Sequence, residues 1–79
     1  MTTVELLRRF VLDELLGAPD LEFDPLAAGA LDSLAIEQLA GFIEDDLGVV
    51  LDDEEMVAEN FESLDTVAAL VDRRRSTPS

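Results

Sequence analysis

The chain lacks cysteine, histidine and lysine, and its positive charge comes from five arginines alone. Without cysteine it can form neither a disulfide framework nor a thiolate metal site. Without histidine it lacks the commonest general base and the commonest metal ligand. A chain of 79 residues suits one small domain, in which a deep catalytic cavity is not expected. The sequence therefore favours a binding or carrier role, and we expect no catalytic residue, no metal site and no enzymatic activity.

Against these five arginines stand nineteen Asp and Glu residues, which gives a net charge of −14. Such a field repels nucleic acids and anionic membrane surfaces and favours proteins with basic patches, although solubility alone is another explanation of the charge. No apolar run approaches the roughly 20 residues of a membrane span. Arg8 and Arg9 interrupt the apolar residues near the N-terminus, unlike a secretion signal. We expect a monomeric, cytoplasmic protein that binds neither nucleic acid nor membrane.

Apolar residues at helical spacing predict a first helix that begins at Thr2 and ends at Gly17 and Pro19. Thr2 and Glu5 have the spacing of a capping box. The buried stripe of this helix consists of Val4, Leu7, Val11 and Leu15. A long loop without regular period then runs from Pro19 to Leu31. We expect three apolar anchors to pin this loop onto the core, namely Phe23, Leu26 and Leu31.

A second helix is predicted from Asp32, a favoured N-cap residue, to about Leu47 before Gly48. Its predicted buried stripe consists of Ile36, Leu39, Ala40, Ile43 and Leu47. A short helical turn over residues 53–58 should follow, with Met56 and Val57 facing inward and Asn60 ending it.

The last predicted helix begins at Ser63 as its N-cap and closes with the arginines 73–75, where cations favour the helix dipole. Its predicted inward residues are Leu64, Val67, Ala68, Leu70 and Val71. The fold class is therefore all-α: a small four-helix bundle of three longer helices and one short helix, with a long first loop. We expect one domain over residues 1–75 and a frayed tail over residues 76–79.

The stretch Gly29-Ala30-Leu31-Asp32-Ser33-Leu34 is the one that can carry chemistry. Ser33 falls in the first turn of the second helix, just outside the buried stripe. The N–H groups and partial positive charge of a helix N-terminus stabilise a phosphate attached there. No histidine or lysine exists to activate the hydroxyl as a nucleophile. From this local chemistry alone, a plain helix cap formed by Asp32 and Ser33 is the favoured interpretation.

Asp32-Ser33-Leu34 at the start of an acidic amphipathic helix is similar to the phosphopantetheine attachment motif of discrete acyl carrier proteins. The resemblance extends over residues 4–71 and includes the long first loop, a short helix after Leu51 and a final helix after Phe61. In that family a separate transferase joins the phosphopantetheine of coenzyme A to the serine hydroxyl. The resemblance implies that Ser33 is the attachment residue, with Asp32 beside it, and that 4′-phosphopantetheine is the covalent cofactor.

One side of the second helix is a candidate surface for partner recognition. At about 100° per residue, an exposed side separate from the buried stripe collects Ser33, Leu34, Glu37, Gly41, Glu44 and Asp45. In the family, the matching positions meet basic patches on partner enzymes. The resemblance therefore implies contacts with a phosphopantetheinyl transferase and with an acyltransferase, ligase or ketosynthase. A plain solvated acidic face is the alternative.

Departures from the family pattern bear on the cargo. Asp32 stands where peptidyl carriers usually have histidine, and Ala35 stands where carriers of fatty acid synthesis usually have an acid. Residues 31–34 together with Glu59-Asn60-Phe61 look more like discrete carriers of polyketide or hybrid natural-product pathways, including antibiotic biosynthesis. An aminoacyl or peptidyl carrier loaded by a discrete adenylating enzyme is one alternative. An acidic adaptor that binds a basic protein without covalent modification is another.

Three remaining features are assigned structural roles. The acidic run 52–55 lacks the spaced oxygens and the glycine of a calcium loop, so we interpret it as a solvated helix start. The arginines 73–75 serve as a C-terminal cap and aid solubility. Core packing is predicted for the four aromatic residues, Phe10, Phe23, Phe42 and Phe61.

Overall fold

The computed structural model describes residues 2–76, and within them the regular structure is entirely helical, without strands. Helix α1 spans Thr3–Arg9 and continues as a π-helical turn over Phe10–Leu15. Helix α2 spans Ser33–Leu47, and helix α3 spans Leu64–Ser76. Two 3₁₀ turns, Asp53–Glu55 and Ala58–Phe61, lie between α2 and α3. Over the same residues, no helix has both the length and the apolar character that crossing a membrane requires.

The first helix begins as predicted, but its second half is not α-helical. The Thr2 hydroxyl accepts a hydrogen bond from the Glu5 amide at 3.3 Å, which caps α1. From Phe10 the turn widens, and the Leu16 amide donates to the Val11 carbonyl five residues back at 2.9 Å. Because of this wider turn, the neighbouring residues 11 and 12 are both buried, whereas the predicted stripe contained only the first of them.

Helix α2 has the predicted bounds because both ends carry strong local signals. The Asp32 carboxylate accepts a hydrogen bond from the Ala35 amide at 2.8 Å. Gly48 ends the helix with a φ of 72°, a left-handed conformation that favours glycine. Leu39 and Ile43 are fully buried, while the other predicted stripe residues are half-buried: Ile36, Ala40 and Leu47.

The segment between α2 and α3 differs from the prediction of one short helix. It forms two 3₁₀ turns instead, and Asn60 lies inside the second turn rather than ending the first. The Asn60 side-chain amide donates to the Glu55 carbonyl at 2.8 Å and so links the two turns. Met56 packs against the core as predicted, but Val57 is 43% exposed. The structure is thus a bundle of three helices with two short turns.

The core lies where α3 packs chiefly against α1, and α2 contributes Leu39 and Ile43 to it. Ser63 caps α3 as predicted, because its hydroxyl accepts a hydrogen bond from the Thr66 amide at 3.0 Å. All five predicted inward residues of α3 are buried. Helix α3 includes Ser76, and the other residues of the predicted frayed tail, 77–79, lie outside the described part of the chain.

The first loop is anchored to the bundle, although not by all three predicted residues. Leu26 is buried and Leu31 packs against the core, and Pro25 adds a buried side chain. Phe23 is 50% exposed, so the prediction that it packs in the core is wrong. The main-chain carbonyl of Phe23 is instead held by the guanidinium of Arg8 at 3.4 Å, which fixes the backbone and leaves the ring outside.

Candidate functional site

Ser33 is the first residue of α2, and its side chain is exposed to solvent. The Asp32 cap fixes this helix start, since its carboxylate holds the Ala35 amide and its carbonyl accepts the Ile36 amide at 3.0 Å. The amides of the first turn have no intrahelical acceptors, so the helix end carries partial positive charge. A phosphate ester on the Ser33 hydroxyl would therefore lie at the partly positive end of α2 and remain reachable by another protein.

An open groove of about 510 Å³ lies beside the serine. Asp32 and Ser33 line one edge of it, and its other walls come from the first loop, α2 and the 3₁₀ segment. Six large apolar residues contribute to its lining, beside the polar Asp32, Ser33 and Glu37: Leu26, Leu31, Ile36, Met56, Val57 and Phe61. The groove thus offers an apolar surface directly next to the exposed hydroxyl. Sequence periodicity did not reveal it, because its walls come from three separate segments.

A cluster around Arg74 holds the 3₁₀ wall of this groove against α3. The Arg74 guanidinium donates to the Val50 carbonyl at 3.1 Å, pairs with the Glu55 carboxylate, and lies 3.9 Å from the Asp52 carboxylate. The same Glu55 carboxylate accepts the Asp52 amide at 3.0 Å. The hydrogen bond from Arg74 contributes most to stabilising the charged form of Glu55, and the bond from the Asp52 amide contributes next. Both lower the pKa of Glu55 below its ordinary value of 4.5. Arg74 therefore links α3 to the segment that follows α2, a contact that its predicted role as a helix cap did not include.

The candidate recognition side of α2 is turned away from the core. Leu34 is 62% exposed, the largest exposed fraction among the large apolar residues of the described part of the chain. Three acidic side chains of this side are also exposed: Glu37, Glu44 and Asp45. Gly41 is half-buried, and a Cβ added there would meet no atom within 4 Å outside the local helix backbone. The fold itself therefore does not require glycine at this position.

The exposed hydroxyl is the chemically distinctive group of this arrangement. The hydroxyl of Ser33 is accessible, but the sequence supplies no imidazole or lysine amine that could act as its base. Among residues 2–76, no group of three or more carboxylate side chains is placed to hold a metal ion.

No family model, no curated protein and no solved structure matches this chain.

Proposed function

We propose that the protein is a discrete acyl carrier protein that carries 4′-phosphopantetheine on the hydroxyl of Ser33. The observation that carries this proposal is the exposed serine at the first position of α2, with an apolar groove beside it. A helix N-terminus suits the phosphate of the arm, and the groove suits its apolar parts. When attached, the arm supplies a thiol that holds acyl or aminoacyl groups as thioesters. In this proposal, other enzymes catalyse the formation and cleavage of these bonds.

The bundle supports this proposal through its order of elements. The long first loop, the Asp-Ser-Leu helix start and the final helix occur in the order that the resemblance implies. In the proposal, the two 3₁₀ turns over residues 53–61 take the place of the short helix of a four-helix carrier domain. The carrier works as a monomer in the cytoplasm, in a polyketide or hybrid natural-product pathway.

The exposed side of α2 is the proposed docking surface for several enzymes. A carrier must be recognised and released by each of them, so weak contacts steered by charge suit it. Leu34 supplies an apolar contact, and the neighbouring acids supply the rim that basic patches recognise. The partners are a phosphopantetheinyl transferase and an acyltransferase, ligase or ketosynthase with such patches.

Modification in vitro tests the attachment site directly. The purified protein is incubated with coenzyme A and a broad-specificity phosphopantetheinyl transferase, and its intact mass is measured. The mass should rise by one phosphopantetheinyl group, and Ser33→Ala should abolish the rise. Ser63→Ala is the matched control, because Ser63 also stands at a helix start and should leave modification intact. An unmodified wild type, with a transferase active on another carrier, would mean an acidic adaptor rather than a carrier.

Charge reversal tests the docking surface separately. Glu37→Lys and Glu44→Lys should each raise the KM of the transferase for the apo-protein roughly 2- to 5-fold, as loss of one rim charge predicts. Glu22→Lys in the first loop makes the same change of charge away from α2 and is the control, with circular dichroism confirming that all three variants fold. Equal kinetics for the three variants, with several partner enzymes, would reject this surface.

A further inference from the structure

A second groove, of about 420 Å³, lies between α1 and the C-terminal half of α2. Its apolar floor is formed by Leu6, Phe10, Phe42 and Leu47. The rings of Phe10 and Phe42 stack with their centroids 4.3 Å apart and their planes 15° from parallel. All four floor residues are only half-buried. Phe10, Phe42 and Leu47 pack against the core, so this surface joins the core to the solvent.

The rim of this second groove is acidic. Asp13, Glu14 and Asp46 line it together with Arg9, so three carboxylates and one guanidinium leave a charge of −2. The whole chain carries −14, which repels a nucleic acid, an anionic membrane or a second copy of the same chain. An occupant complementary to both floor and rim has a bulky apolar side chain flanked by cations.

The π-helical turn shapes this groove. It contributes Phe10, Asp13 and Glu14 to the lining, while Val11 and Leu12 of the same turn enter the core. A π turn is rare within helices and is concentrated at functional sites. Here the six residues of the turn, Phe10–Leu15, contribute both to the core and to the wall of the second groove.

The groove is separate from the serine site. Asp46 follows Ser33 by thirteen residues, or about 20 Å along the axis of an α-helix. At 100° per residue, Phe42 and Asp46 also lie roughly opposite Glu44 around α2. Asp45 of the candidate recognition side lies only about 60° from Phe42 around α2. A protein seated in the second groove would therefore leave Ser33, Glu37 and Glu44 accessible but would approach Asp45.

We propose that this second groove docks a basic amphipathic helix of a partner protein. The partner helix places one bulky apolar side chain on the stacked rings and presents Lys or Arg one turn away on either side to the acidic rim. Such a partner holds the protein at one end of α2 while other enzymes act at Ser33. This docking is independent of the proposed modification of the serine.

A tryptophan-containing peptide tests the proposal, because the protein has neither tryptophan nor tyrosine and the emission comes from the peptide alone. The probe is a synthetic helical peptide of about 16 residues, with one Trp flanked on the same face by Lys four residues away on each side. We expect saturable binding and a blue shift of the Trp emission. In NMR spectra of the protein, the largest changes in backbone amide chemical shift should fall on Leu6, Phe10 and Phe42. An isomeric peptide with Trp and Lys on opposite faces should bind more weakly without the blue shift.

Two variants of α2 separate the groove from general charge attraction. Asp46→Lys should weaken peptide binding roughly 5-fold or more, whereas Glu44→Lys, with the same change in net charge, should weaken it at most about 2-fold. A lysine near the C-terminus of α2 favours the helix dipole, so the fold should persist. Equal weakening by both variants, absence of the blue shift, or shift changes centred on Ser33 and Leu34 would overturn the proposal. Ser33→Ala should bind the peptide like wild type, so this result stands apart from the modification test.

Discussion

Removal of the Asp24 carboxylate should detach the first loop from the N-terminus of α3. One carboxylate oxygen accepts the Leu26 amide at 2.9 Å and the Ala27 amide at 3.2 Å. The other oxygen accepts the Leu64 amide, forty residues later, at 2.9 Å. These bonds close a turn of the first loop and cap the start of α3 together. Asp24 itself is half-buried. Asp24→Ala removes all three acceptor contacts, while Asp24→Asn keeps one oxygen and loses the charge.

The expected magnitude follows from these three contacts. Loss of a helix cap costs about 0.5–2 kcal/mol, and one hydrogen bond to a charged group contributes about 1.5–3 kcal/mol. The contacts share one side chain and are not additive, so we expect Asp24→Ala to cost about 2–4 kcal/mol of unfolding free energy. A domain of this size changes its melting temperature by about 4–8 °C per kcal/mol, which gives a fall of roughly 10–30 °C. Asp24→Asn should cost about half as much.

Urea titration followed by circular dichroism measures this cost, and hydrogen exchange locates it. Protection of the amides of Leu26, Ala27 and Leu64 should fall together in Asp24→Ala. Asp20→Ala is the matched control, since Asp20 is an exposed carboxylate of the same loop and should change stability by less than about 0.5 kcal/mol. A cost below 1 kcal/mol for Asp24→Ala, or a loss of protection confined to the loop, would refute the assignment of Asp24 as the link to α3.

Three further changes probe other parts of the structure. Gly41→Ala should stabilise the fold by roughly 0.5–1 kcal/mol in urea titrations, because an added Cβ meets open space. Gly48→Ala should cost roughly 1 kcal/mol, because the φ of Gly48 is 72°. Changes of the same sign in the free energy of unfolding of both variants would contradict this. Glu55→Gln should lower the melting temperature at neutral pH. Because Arg74 lowers the pKa of Glu55, the difference in melting temperature between wild type and variant should vanish as the pH falls through the range below 4.5. A difference that persists in acid would reject the pairing of Glu55 with Arg74. Raising the salt concentration from about 0.01 M to about 0.15 M should raise the melting temperature by screening the net charge of −14; a flat response would argue against self-repulsion.

The helix starts and the end of α2 could be predicted because their causes are local. Thr2, Asp32 and Ser63 cap their helices with side chains that reach amides three residues ahead, and Gly48 ends α2 by adopting a left-handed conformation. Such interactions depend on sequence neighbours alone. The exposed position of Ser33 at the start of α2 follows from the same signals, so the sequence could locate the candidate attachment residue.

The groove walls could not be predicted, because each depends on residues far apart in the chain. Arg74 holds Val50 and Glu55 across 24 and 19 residues, and periodicity carries no sign of that contact. The same limit applies to Phe23, whose apolar ring predicted burial although tertiary packing left it outside.

The sequence by itself determined the helical class, the caps and the acidic charge, since these depend on composition and near neighbours. Only the tertiary structure decided that the helix after Arg9 widens into a π turn and that residues 53–61 form two 3₁₀ turns. In both places the local pattern suited an ordinary helix. The π turn allows Val11 and Leu12 to enter the core together. The first 3₁₀ turn is stabilised by residues outside it, because the Asn60 side chain bonds the Glu55 carbonyl and Arg74 bonds the Val50 carbonyl just before it. Packing and long-range hydrogen bonds override weak local preference, and they also form the two grooves.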